Sequence, residues 1–71
     1  MEQRELLQEE LSSIDIQIDD IVVQMMEKYG TFLSYKDAKD KNDSYKEVLV
    51  RNYNYLMNRK DNIIRQINSN Y

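Results

Sequence analysis

Apolar residues recur along this chain in two long stretches with helical spacing. In the first, Leu7, Leu11, Ile14, Ile18, Ile21 and Met25 alternate steps of four and three. That is an unbroken heptad seam, and Val22 and Tyr29 widen it into a stripe broad enough to face a core. Gly30 follows directly, and only glycine enters a left-handed helix cap without steric cost. The pattern predicts a helix over about 3–29.

The second stretch opens at Ser44. Ser44-Tyr45-Lys46-Glu47 reads as a capping box, with Glu47 placed to reach back to the Ser44 N–H. Leu49, Tyr53, Leu56, Lys60, Ile63 and Ile67 then repeat the steps of four and three, and Val50, Met57, Ile64 and Tyr71 form a second line beside them at intervals of seven. A helix over about 44–68 is expected.

Residues 30–43 connect the two. Phe32, Leu33 and Tyr35 are apolar or aromatic, whereas 36–43 is polar apart from Ala38. A structureless loop of this length is uncommon in a compact domain. Ser34 could cap a brief helix over 35–42, with Phe32 and Leu33 plugging the bundle end; a continuous helix from Thr31 onward is the competing reading.

Charge divides unevenly between the stretches. Residues 1–29 carry eight acidic side chains, Glu2 among them, against Arg4 and Lys28, a net charge of −6. Residues 44–71 carry five basic side chains against Glu47 and Asp61, a net charge of +3. An acidic and a basic helix with matched seams prefer each other to themselves. Charge selects the pairing, since exposed ion pairs contribute only about 0–1 kcal/mol each, and apolar burial supplies the stability.

The expected fold is therefore all-α: one domain over 1–71, an antiparallel helical hairpin. The implied register sets Met25 near Leu49, Leu7 near Ile67, Asp15 beside Arg59 and Ile14 beside Lys60. Lys60, the one charge on either seam, either snorkels to Asp15 or sits at the stripe's edge. The tyrosines, with Tyr45, Tyr53 and Tyr71 on or beside the seam, are read as packing. Ordering this chain costs roughly 1.5 kcal/mol per residue, which burial in one small hairpin barely matches. Two hairpins docking as a homodimeric four-helix bundle would cover the remaining apolar surface.

Composition removes most chemistry. The 71 residues include no His, Cys, Trp or Pro and one Gly. A disulfide framework, a thiolate or ordinary zinc site, an imidazole base and a phosphate-cradling glycine loop are all excluded. Ser12 and Ser13 have no base partner. Glu5–Glu9 and Asp15–Asp19 share helix faces at i,i+4, but neither has a third ligand or a cleft, so each reads as a solvated face. No catalytic residue, cofactor or metal is expected. No window approaches the ~18 apolar residues of a membrane span. The charged start of the chain argues against a signal peptide, so a cytoplasmic location is expected.

What remains is surface. Ile16 and Val23 lie seven apart, opposite the seam, surrounded by Glu5, Glu9, Asp19, Asp20 and Glu27. An apolar pair rimmed by carboxylates suits docking on a basic, grooved protein. Regularly spaced carboxylates can also enter a phosphate-binding cleft, as a DNA mimic would. Length, acidity and helical architecture resemble small intracellular antirepressors and phage-type inhibitors. The expectation is a non-enzymatic regulatory or adaptor protein that binds, and inhibits, a basic or nucleic-acid-binding protein.

Two rival readings are a pure oligomerisation scaffold and a hairpin-dimer RNA binder of the plasmid-encoded kind. The latter would use Arg51, Asn54, Asn58, Asn62 and Arg65 on the outer face of the second helix, with Tyr55 toward one flank. Direct nucleic-acid binding is disfavoured by the net charge of −3 and by the local pairs Glu47–Arg51 and Asp61–Arg65.

Overall fold

A computed structural model describes residues 3–69; Glu2 and Tyr71, which entered the sequence argument, lie outside the described residues. The chain forms two helices, α1 (Gln3–Tyr29) and α2 (Ser44–Ser69), packed against each other as a hairpin. Both follow the boundaries expected from the apolar periodicity to within one residue. Among the described residues no helix is long and apolar enough to cross a membrane.

The buried core is the pair of seams. Leu7, Ile14, Ile18, Ile21 and Met25 of α1 meet Leu49, Val50, Leu56 and Ile63 of α2, and Leu33 of the connector closes one end. Leu11, Tyr53 and Ile67 are half-buried members of the same seams. Gly30 ends α1 at φ +72, and its N–H donates to the Met26 carbonyl at 2.9 Å. That is the left-handed cap its position implied. A Cβ at Gly30 would meet nothing within 4 Å, so the need for glycine is one of backbone conformation alone.

Three local expectations are corrected. First, α2 is capped by Asp43, not by Ser44: the Tyr45 N–H donates to Asp43 Oδ1 at 3.2 Å, and Ser44 already lies within the helix. Asp43 stands one residue ahead of the first turn, where a carboxylate also complements the helix dipole, and it takes the role that a capping box would have given Ser44. Glu47 turns to Arg51 instead, at 3.7 Å.

Second, the connector contains a 3-10 turn of only three residues, Asp37–Lys39, rather than a helix over 35–42 or a continuation of α2. Ser34 does not cap it. The Ser34 N–H and hydroxyl both donate to Asp37 Oδ2, at 2.7 and 3.1 Å, so the side-chain acceptor comes from the far side of the turn. Asp40 does the same for Asn42, accepting its N–H at 2.9 Å. These local loops compete with helix and hold the segment irregular.

Third, Leu33 alone plugs the bundle end. Phe32 is exposed and sets its ring edge-on against Tyr53, with centroids 5.0 Å apart at 80°. Tyr45 likewise stays exposed, its hydroxyl donating to Gln24 Oε1 at 2.7 Å. A two-helix hairpin has only one seam to fill, and the aliphatic side chains fill it.

The molecule is elongated, 47 × 19 × 15 Å. Its accessible surface of 5428 Å² exceeds the roughly 4,700 Å² of a compact monomer of this mass. The second apolar line of α2 shows where part of that excess lies. Val50 is 5% exposed, but Met57 and Ile64, one and two heptads further along the same side, are 38% and 36% exposed.

Candidate functional site

Ile16 and Val23, one heptad apart, lie on the side of α1 away from α2, because the seam fixes which side faces in. They are 63% and 50% exposed, the largest apolar exposures of α1 besides Leu6 and Met26. Glu5, Glu9, Asp19, Asp20 and Glu27 are exposed as well, and none makes an ion pair among the described residues. All seven residues share the outer half of one helix. They form a convex stripe roughly 33 Å long at 1.5 Å per residue, not a single concavity. Glu5 and Glu9 border one shallow depression, Glu27 another and Asp20 a third. Such a shape offers a partner a ridge and gives a substrate no enclosure.

The acidic residues nearer the seam are already used. Lys60 is half-buried on its stem, and its Nζ reaches Asp15 Oδ1 at 2.8 Å. That hydrogen bond, then the charge of Asp15, then the more distant Asp19, raises the ammonium pKa against the opposing effect of desolvation. The snorkelling arrangement is thus the one adopted. Arg59, which the register set beside Asp15, instead bonds Glu10 on the opposite flank. Asp19 and Asp20, adjacent in sequence, therefore diverge: Asp19 adds to the field at Lys60, whereas Asp20 borders the other flank.

That other flank holds a feature that periodicity alone does not reveal. Gln17, Asp20 and Ile21 of α1 and Asn52, Tyr55 and Leu56 of α2 line an open groove of about 360 Å³. Its floor is the buried pair Ile21 and Leu56, and its walls are polar or aromatic. The signal in sequence was Tyr55, an aromatic residue of α2 lying off the seam.

At the turn stand three aspartates spaced by three, Asp37, Asp40 and Asp43, and each has a structural task. Asp37 and Asp40 have lowered pKa values, Asp37 from the Ser34 backbone and hydroxyl, Asp40 from the Lys46 ammonium at 2.9 Å and the Asn42 N–H. Asp43 Oδ2 accepts the Tyr29 hydroxyl at 2.7 Å, joining the last residue of α1 to the cap of α2. Desolvation first, and then this bond, push the Tyr29 phenol up to about 12. Among the described residues no group of three acidic side chains converges as a metal site would require.

On the outer face of α2, Arg51 and Arg65 are exposed and lie 3.7 and 4.0 Å from Glu47 and Asp61. The local pairing expected there is present and loose. Comparisons with family models, with curated proteins and with solved structures each found no match.

Proposed function

We propose that this chain is a small non-enzymatic regulatory protein of the cytoplasm. It acts by docking the acidic outer face of α1 on a basic, nucleic-acid-binding protein and inhibiting it. One observation carries the reading: Ile16 and Val23 stand bare amid five carboxylates that no cation of the described chain pairs. Apolar anchors supply affinity, and the ring of like charge steers a basic surface toward them. The convex stripe also matches the way a helix enters a groove on its partner.

The working form is a homodimeric four-helix bundle. A second copy would cover the apolar line of α2 that one hairpin leaves open, where Met57 and Ile64 are 38% and 36% exposed. Met57 and Ile64 lie on the uncovered side of α2 and leave the outer face of α1 free for the regulated protein.

The test is affinity capture from native lysate with wild-type chain and with Ile16→Glu/Val23→Lys. Helicity and particle mass by light scattering should be unchanged in the variant while partner capture is lost. Capture that survives both changes removes the surface assignment. A series of concentration-dependent higher species in the wild type, in place of one discrete dimer, favours the scaffold reading instead.

A further inference from the structure

We propose that the groove between α1 and α2 bordered by Asp20, Asn52 and Tyr55 receives a single arginine side chain of the partner protein. The source of that arginine rests on the docking reading above; the groove itself is argued from its own chemistry. Its floor, Ile21 and Leu56, is buried and aliphatic and suits the methylene stem of a long cationic side chain.

Asp20 brings an unpaired carboxylate to the rim. Of the two cations of α2 four residues from Tyr55, Arg59 is already bonded to Glu10 and Arg51 lies 3.7 Å from Glu47. Tyr55 is 65% exposed and has no ring contact or hydrogen bond among the described residues. The other tyrosines of the two helices are occupied. Lys28 lies 4.1 Å from the Tyr45 ring centre, Lys46 lies 5.4 Å from that of Tyr29, and Tyr53 meets Phe32. Tyr55 thus offers an open ring face beside a free carboxylate.

Gln17 has committed its amide nitrogen to Ser13 Oγ and carbonyl at 3.3 Å, which leaves its carbonyl oxygen as an acceptor; Asn52 adds another. Several acceptors and one ring around an aliphatic floor suit a guanidinium. Its five donors are planar and it stacks on aromatics, whereas an ammonium is compact and strongly hydrated. Asp20 also belongs to the docking stripe, so the groove and the ridge form one continuous contact surface across the α1 side of the hairpin.

The experiment is a titration of the full chain, followed by backbone and methyl NMR, with an oligo-arginine peptide and an oligo-lysine peptide of equal length. Oligo-arginine should move the resonances of Ile21, Tyr55 and Leu56 and bind about fivefold or more tightly than oligo-lysine. Tyr55→Ala and Asp20→Asn, both at exposed positions with helicity checked by circular dichroism, should each remove that preference. Equal affinity for the two peptides, a preference that survives Tyr55→Ala, or no shifts at the groove would overturn the proposal. A neutral ridge variant, Ile16→Gln/Val23→Gln, separates the two ideas, because Val23→Lys would set an ammonium one helical turn from Asp20. It should leave the oligo-arginine shifts at the groove in place, so the ridge can fail while the groove stands, and the reverse.

Discussion

The two ends of the hairpin are built differently from one repeating pattern. At the turn end, Met25, Leu33, Leu49 and Val50 are buried together, Met25 completely. A chain of short-range polar ties surrounds them: Tyr29 to Asp43, Lys46 to Asp40, and Ser34 to Asp37. At the open end, Leu7 is buried and Leu11 and Ile67 are half-buried, with Ile63 the last closed position of α2. Only two ion pairs, Glu10–Arg59 and Asp15–Lys60, join the helices there among the described residues. The seam supplies equal apolar spacing to both ends, yet the connector adds a third wall to one alone. A turn that folds over its own helix ends gains contacts at small loop-closure cost, whereas the open end must be held by residues some fifty apart in sequence.

The largest expected effect breaks this asymmetry directly. Leu49→Ala removes a nearly buried side chain beneath the connector and should cost about 2–5 kcal/mol. Ile67→Ala, half-buried at the open end, should cost about 1–2 kcal/mol. Urea unfolding of both variants measures the gap, and equal losses would mean that the connector adds nothing to the core it covers. In so small a domain the larger loss is a substantial fraction of the whole stability.

A more pointed change sits one layer up. The buried Leu33 N–H has the Met25 thioether as its acceptor, at 3.5 Å. Met→Leu exchanges in cores ordinarily cost little because volume is conserved. Here Met25→Leu conserves volume and deletes the acceptor, so the cost should rise to about 1–3 kcal/mol, the penalty of an unpaired buried donor. Each kcal/mol lowers Tm by about 4–8 °C in a domain of this size. Amide exchange at Leu33 should quicken in step; a Tm within a degree or so of wild type would show that the sulfur contact contributes nothing.

Much of this could be read from the residues beforehand, and the reasons for the rest are physical. The seams were legible because apolar spacing at 3.6 residues is imposed by burial itself, and so was the Gly30 cap; the Lys60–Asp15 contact was one of two readings that spacing allowed, and the structure selects it. The cap of α2 was displaced by one residue because Asp43 and Ser44 are both good capping residues, and only the path of the connector decides between them. Phe32 could not be separated from Leu33 by hydrophobicity; the path of the chain after Gly30 decides that Leu33 turns in and Phe32 stays 46% exposed. The outer stripe of α1 was visible as a pattern, but the groove beside it was not. A groove between helices depends on which flanks face each other, and heptad spacing leaves that open until Glu10–Arg59 and Asp15–Lys60 define two distinct sides.

The smallest expected effect uses pH to separate the two ends. At the turn, Asp37 and Asp40 have lowered pKa values, so their contributions are complete above the ordinary carboxylate range and vanish as pH falls through the lowered values. Tyr29, raised from 10.0 to about 12, works in the other direction: its contribution is complete below about 10 and is lost as pH climbs toward 12. Lys46 and Lys60 are raised too and add to the alkaline loss, but only Lys60 belongs to the open half. Tyr29→Phe should therefore lower Tm slightly near neutrality, and its deficit against wild type should shrink steadily above about pH 10 as the native protein loses what the variant never had. Amides of 31–43 should exchange faster before those at the open end in the same range. A deficit that stays constant through the titration would mean that the phenol and Asp43 are not coupled, and that the turn is closed by apolar contact alone.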